Sequence, residues 1–197
     1  MNPLIHDTRL YDDIPREEGR LPREMSVYRL LKELGIAYLR LDHEPMATLE
    51  ACRGVDELLQ ISMCKNLFLC NAQKTDFYLL LMPGEKKFKT RELSGQIGST
   101  RLSFAPQEFM EEYLHISPGA VSIMGLMNDR EGRVRLVIDE DVLKEEFLGC
   151  HPCVNTASLK VRTEDILTKF LPCTGHEYRA VHLTGENVRE KEQTETE

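Results

Sequence analysis

The sequence predicts an α+β fold, a single compact domain over roughly residues 25–183. Three observations predict it. Segments with helical spacing of apolar residues alternate irregularly with short apolar runs, without the strict strand–helix order of a parallel α/β protein. Several of those runs are joined by short polar turns that read as β-hairpins. A chain of 197 residues, 41% hydrophobic and 29% charged, can also bury a core that needs no disulfide or metal staple. No internal repeat divides it.

Residues 1–24 are polar and broken by prolines, and read as an N-terminal arm. "SVYRLLKELG" sets Val27, Leu30, Leu31 and Leu34 at helical spacing, with Gly35 as the stop. "IAYLRLDH" alternates and predicts a strand. "ATLEACRGVDELLQ" predicts a second helix with Thr48 as its N-cap. "KNLFLCN" and "DFYLLLM", joined by the polar "AQKT", predict a hairpin whose continuous apolarity implies burial on both faces. "TRELSGQIG" and "APQEFMEEYLH" predict short helices around a strand in "TRLSF". "GAVSIMGLM", the turn "NDREG" and "RVRLVID" predict a further hairpin. A brief helix in "EDVLKEEF" and a strand in "NTASLKV" follow. "TEDILTKFL" predicts a helix capped by Thr163 and ended before Pro172, and "YRAVHL" a last strand. Residues 184–197 lack apolar anchors and read as a disordered acidic tail.

Composition narrows the function. No apolar run approaches the roughly 20 residues that span a bilayer, and the N-terminus has no apolar h-region of a signal peptide. Six cysteines without a secretory signal read as reduced thiols, so the expected location is cytoplasmic. A formal charge of −8 argues against a broad, non-specific nucleic-acid binder, DNA included, but tolerates a protein that touches one end of an RNA. Against that balance, "GEKKFKTREL" gathers Lys86, Lys87, Lys89 and Arg91, either a solvated basic loop or a backbone contact. No phosphate loop, dinucleotide fingerprint, H-E-x-x-H or G-x-S-x-G elbow is present.

Two constellations carry chemistry. In "FLGCHPCVNTASL" and "LPCTGHE", Cys150 and Cys153 make a Cys-x2-Cys and Cys173 and His176 a Cys-x2-His, close to a structural zinc pattern. The same "GCHP" also reads as a tight loop offering backbone amides and one imidazole to a substrate. Lys65 and Asn66 form the second constellation, a cation and an amide at the mouth of an apolar strand, suited to a phosphate and a small polar group. Cys52, Cys64 and Cys70 lie in apolar patterns and read as core.

"HEPMATLEAC", "KNLFLCN", "FYLLLMPGEKKFKTRELSGQIGSTRLSFAPQEFMEEYL", "SPGAVSIMGLMND", "LVIDEDV" and "GCHPCVNTASLKV" occur in this order. Together they resemble the YbaK/ProX family of aminoacyl-tRNA deacylases, within it the PrdX/ProX-type alanyl-tRNA(Pro) deacylases, homologues of the prolyl-tRNA synthetase editing domain. The resemblance covers residues 25–183 and implies a mixed sheet curled around a small pocket. It implies trans-editing, hydrolysis of the ester that joins a wrong small amino acid to proline tRNA, with no cofactor and no metal. The partners implied are the acceptor end of aminoacyl-tRNA(Pro) and, at the next remove, prolyl-tRNA synthetase. The family's lysine falls on Lys65, its neighbouring asparagine on Asn66, and its G-x-H-P loop on Gly149, Cys150, His151 and Pro152. Lys65, Asn66 and His151 are then the catalytic set, with Gly149, Cys150, Pro152, Thr48 and Gly125 at the substrate. Lys86, Lys87, Lys89 and Arg91 become candidate tRNA contacts.

The chemistry fits that resemblance. An aminoacyl ester is already activated, so a site can work by positioning water and stabilising an oxyanion. Lys65 would anchor the phosphate or ribose of the terminal adenosine, the loop amides would hold the carbonyl or amine, and His151 would orient the loop or relay a proton. The family suggests help from the tRNA's own 2′-hydroxyl. The alternatives are a deacylase for cysteinyl-tRNA(Pro) or another small aminoacyl-tRNA, and a zinc-binding regulatory protein using Cys150, Cys153, Cys173 and His176.

Overall fold

The structure, a computed structural model, describes residues 4–46 and 49–185. Helix α1 (Pro22–Glu33) leads into β1 (Tyr38–Asp42), α2 (Leu49–Leu59) and the hairpin β2 (Cys64–Asn71) and β3 (Phe77–Pro83). Then come α3 (Thr90–Ile97), β4 (Leu102–Phe104), α4 (Gln107–Leu114) and a 3-10 segment, Ile123–Asn128. Strand β5 (Val134–Asp139), α5 (Glu140–Leu143), β6 (Phe147–Cys150) and β7 (Ala157–Arg162) precede a helical stretch of α6 (Thr163–Asp165), a π-helical Ile166–Phe170 and α7 (Leu171–Thr174). Strand β8 (Tyr178–Val181) closes the order.

The strands form two sheets. The larger runs β4-β2-β3-β5-β8, antiparallel across the hairpin and parallel from β3 to β5 and from β5 to β8. The smaller is antiparallel, β1-β7-β6. A single parallel bridge, Met63 to Gly149, stitches β6 to the start of β2. The α+β class follows the resemblance, with the strands divided between two bridged sheets.

Burial explains the apolar runs. On one face of the hairpin Phe68, Phe77, Leu79 and Leu81 pack into the main core with Leu148, Leu159 and Val161 of the small sheet and Val27, Tyr28 and Leu31 of α1. On the other face Leu69, Leu80 and Met82 meet Leu93 of α3 and Val137 of β5. Strand β3 is therefore covered on both sides, as its unbroken run of apolar residues requires. A third cluster joins Leu41 to Val55 and Leu59 of α2 and to Ile5 of the arm. The arm is tied down further where Tyr11 and Arg40 exchange backbone hydrogen bonds of 2.9 and 2.7 Å. At the other end the Glu92 carboxylate accepts from the amides of Thr184 and Gly185. No helix of the described residues is long and apolar enough to cross a membrane.

Two expectations are corrected. "SIMGLM" is not a strand: Ser122 caps the 3-10 segment by accepting from the Met124 amide, and β5 pairs in parallel with β3. A short run that is apolar throughout carries no period to separate a strand from a buried helical turn. The helix from Thr163 does not stop before Pro172 but runs to Thr174 and ends at Gly175, whose φ is 72°. In the π-helical turn the Leu171 amide reaches back to the Ile166 carbonyl, and this wider turn accommodates a ring that would otherwise clash with the carbonyl four residues earlier. Thr163 does not cap its own helix; its hydroxyl donates to the Glu145 carbonyl at 2.6 Å.

Candidate active site

The Met63–Gly149 bridge sets the start of β2, which carries Lys65 and Asn66, beside the strand that leads into the "GCHP" loop. A Cβ on Gly149 would lie 2.5 Å from Met63 Sδ and 2.6 Å from Ile61 Cδ1, so glycine permits the close approach of loop and strand. Beyond the bridge, burial raises the thiols of Cys64, to about 12, and of Cys150, which also hydrogen-bonds Ser122. Raised thiols stay protonated near pH 7 and are poor nucleophiles; Cys150 is buried, and Cys64 is half-buried at the cleft.

Lys65 projects from the opposite face of β2 to Asn66. Its ammonium donates to the Lys86 carbonyl at 2.6 Å, which leaves two of its three donors for a ligand. Lys86 is itself held: its Nζ donates at 2.9 Å to both oxygens of Asp139, which has no exposed side-chain surface, and pairs with Asp141 at 2.7 Å. Burial pulls the Lys86 pKa down, but the hydrogen bonds of Asp141 and Asp139 outweigh it and raise the pKa overall. Lys144 and Lys86 hold the Asp141 carboxyl down to about 2. Asp139 also caps α5 by accepting from the Asp141 amide. Lys86 is thus turned inward, apart from the exposed Lys87 and Arg91 and from Lys89, half-buried at the start of α3.

Asn66 donates from Nδ2 to the Cys64 carbonyl at 3.1 Å, while its Oδ1 is buried with no partner among the described residues. Leaving such an oxygen unpaired costs about 1–3 kcal/mol, so it is an acceptor in want of a donor. Between the start of β2, the turn after β3 and α5 lies a cleft of about 520 Å³, lined among others by Asp56, Met63, Cys64, Glu85, Lys86 and Glu145. Burial raises the Asp56 carboxyl to about 6.

The "GCHP" loop joins β6 to β7. Pro152 is buried, and buried Cys153 takes a left-handed conformation with φ 61°. The Nδ1–H of His151 donates to the Ala157 carbonyl at 2.9 Å and lies 3.5 Å from Ser158 Oγ. Ser158 Oγ is in turn 2.9 Å from Nε2 of His43, whose Nδ1–H donates to the Glu44 carbonyl at 2.8 Å. The two imidazoles stand 6.2 Å apart. Burial lowers the pKa of both.

The other sequence-predicted residues fall elsewhere. Gly125 packs in the core, where an added Cβ would meet Ile116 Cδ1 at 2.5 Å and Leu114 Cβ at 3.1 Å. Thr48 lies outside the described residues. The zinc reading is corrected: Cys173 is exposed on α7, and His176 is buried against Asp129 Oδ2 at 3.2 Å and Thr174 Oγ1 at 3.1 Å. Among the described residues no three His, Cys, Asp or Glu side chains are placed to hold a metal ion. Conversely, the sequence reading passed over His43, Ser158, Asp139 and Asp56. The signal for the first two lies in topology: β1 pairs antiparallel with β7, so His43 falls opposite Thr156 and its ring reaches diagonally to Ser158.

Comparisons with known proteins place the chain in a family. Residues 43–169 match the family model of the aminoacyl-tRNA editing domain. The chain is 32% identical over 160 residues to the prolyl-tRNA editing protein ProX of Acetoanaerobium sticklandii, covering 81% of this chain and 97% of that protein. It is 30% identical over 169 residues to the prolyl-tRNA synthetase associated domain-containing protein 1 of Xenopus laevis, covering 84% and 98%. A crystal structure described as a candidate trans-editing enzyme for prolyl-tRNA synthetase superposes with a TM-score of 0.61 over 84% of this chain and 99% of that one, at 16% identity, a likeness of fold. The match over most of the domain, on both sides of the Met63–Gly149 bridge, shows that the chain belongs to the aminoacyl-tRNA editing domain family.

Proposed function

We propose that the protein is a trans-editing hydrolase that removes alanine from mischarged alanyl-tRNA(Pro). Membership of the editing family and the likeness to a prolyl-tRNA editing protein support the reaction class. The observation that carries the reading is the meeting of Lys65, Asn66 and the Gly149–Pro152 loop across one bridge, with the Asn66 oxygen left without a donor. The two unused donors of Lys65 suit a phosphate or ribose oxygen of the terminal adenosine. Asn66 Oδ1 suits the N–H of the substrate's amine. Amides of the loop would stabilise the oxyanion that forms as water adds to the ester carbonyl. His151, within that loop, is the proposed proton-handling group. Lys87, Lys89 and Arg91 remain candidate contacts to the tRNA backbone, and prolyl-tRNA synthetase the candidate source of the mischarged tRNA.

Selection is by size. A pocket matched to a methyl group rejects the pyrrolidine ring by overpacking, which costs about 1–3 kcal/mol and so protects prolyl-tRNA(Pro) by about ten- to hundredfold. Side-by-side deacylation of alanyl-, cysteinyl- and prolyl-tRNA(Pro) tests this. Alanyl-tRNA(Pro) is expected to be hydrolysed fastest. Equal alanyl and prolyl rates overturn size exclusion, and a cysteinyl preference replaces alanine by cysteine as the substrate.

A further inference from the structure

We propose that His43 is a positioning residue for His151, acting through Ser158 to keep the His151 proton on Nδ1 and leave Nε2 bare as the proton acceptor. The inference deepens the deacylase reading and rests on it for what the imidazole does, but the tautomer can be read without any substrate.

The geometry assigns each proton. A carbonyl oxygen only accepts, so the 2.8 Å contact of His43 Nδ1 with the Glu44 carbonyl requires the proton of that ring on Nδ1. Its Nε2 then carries a lone pair and takes the Ser158 hydroxyl proton at 2.9 Å. With that proton committed, Ser158 has only lone pairs to show His151, 3.5 Å away. His151 Nδ1 thus faces two acceptors, Ser158 Oγ and the Ala157 carbonyl at 2.9 Å, and no donor. The only arrangement that satisfies all of these groups has Nδ1 protonated and Nε2 unprotonated, and Nε2 has no partner among the described residues. Burial, which lowers both pKa values, keeps the rings neutral so that the arrangement holds near pH 7. His43 and Ser158 are themselves buried, 8% and 1% exposed, and neither side chain is free to turn to water.

Removing His43 frees the Ser158 hydroxyl to compete with the Ala157 carbonyl at His151 Nδ1, which shifts part of the population to the tautomer protonated on Nε2 and weakens the acceptor. Removing Ser158 as well takes that donor away, and the Ala157 carbonyl alone restores the tautomer. A merely structural His43 predicts the opposite, a double variant at least as damaged as the single one.

The first measurement is long-range proton–nitrogen correlation NMR on the imidazoles of the unmodified protein, with His151 assigned by its loss in His151→Gln. The expected result is a protonated Nδ1 and a bare Nε2; a proton on Nε2 overturns the proposal. The second is deacylation of alanyl-tRNA(Pro). His43→Phe is expected to lower kcat by roughly tenfold with KM unchanged, since acid–base positioning contributes about 10²–10⁴-fold and a mixed tautomer forfeits part of it. His43→Gln, which keeps an acceptor for Ser158, and the double variant His43→Phe/Ser158→Ala are both expected to recover most of the rate. A double variant as slow as His43→Phe, or a His43→Phe as fast as the parent, overturns the proposal. If the parent hydrolyses no aminoacyl-tRNA, the deacylase reading falls while the NMR result still decides the tautomer.

Discussion

The two walls of the site are held by opposite means. On the β2 side, charge is anchored by charge: the buried Asp139 and the partly exposed Asp141 fix Lys86, and the Lys86 carbonyl fixes the ammonium of Lys65. On the loop side nothing is ionised: His43, Ser158 and His151 are neutral and end on the Glu44 and Ala157 carbonyls. The first wall can hold an anionic ligand because its cation is kept in place by an anchor that leaves donors unused. The second is proposed to handle the proton, with the two carbonyls and the Ser158 hydroxyl between them ordering the imidazole protons. In the proposed deacylase, binding and proton handling are divided between two sheets that share one core and, among the described residues, are bridged at Met63 and Gly149.

The largest expected effect breaks the charged wall. Lys65→Ala is expected to lower the single-turnover deacylation rate on alanyl-tRNA(Pro) by about 10²–10³-fold, the usual cost of one preorganised charge stabiliser, with an unchanged melting temperature. Near-normal turnover by the folded variant would remove Lys65 from the site. Next comes its anchor. Asp139→Ala leaves a half-buried ammonium with only Asp141 and removes the cap of α5, so it is expected to cost about 3 kcal/mol of stability in urea denaturation, the lower end for a broken buried pair. A loss within about 0.5 kcal/mol, the scatter of surface substitutions, would mean that the charged wall is not what holds the turn after β3.

The two walls also differed in how far the sequence disclosed them. The hairpin, both of its buried faces and the helices α1, α3 and α4 follow from local period and turn chemistry, and are where residues 26–114 predicted them. Lys65, Asn66 and the "GCHP" loop stood out because polar groups interrupt apolar runs. The anchors did not, because Asp139 reads as an ordinary strand-end acid and Ser158 as one more residue of an alternating strand. Their roles come from non-local pairing, β5 beside β3 and β7 beside β1, which no window of sequence contains. The zinc spacing misled for the same reason. Cysteines at ligand intervals carry no record of direction, and here Cys150 and Cys153 point into the core while Cys173 faces solvent.

The smallest expected effect lies where the walls meet, at Asp56. Its carboxyl lines the cleft beside Cys64, and Oδ1 is buried without a partner among the described residues. Burial first, then the neighbouring Glu85 and Glu57, raise its pKa to about 6 from an ordinary 3.8, against a hydrogen bond with the Met63 backbone that lowers it. Because the folded-state pKa lies above the unfolded one, the folded protein holds the extra proton between those values, and stability falls as pH rises from about 4 to about 6. At pH 7 the whole penalty is present. Asp56→Asn keeps an oxygen for the Met63 backbone and removes the charge, so it is expected to stabilise the protein at pH 7 by about 1 kcal/mol, allowing for solvent screening of a half-buried group. Well below pH 3.8, where the parent carboxyl is protonated in both states, the gain is expected to vanish. Urea denaturation of parent and variant at about pH 3 and pH 7 measures the difference. A gain that is equal at both pH values would trace to packing rather than charge, and a loss at pH 7 would show that the Asp56 carboxylate is paired at the meeting of the two walls.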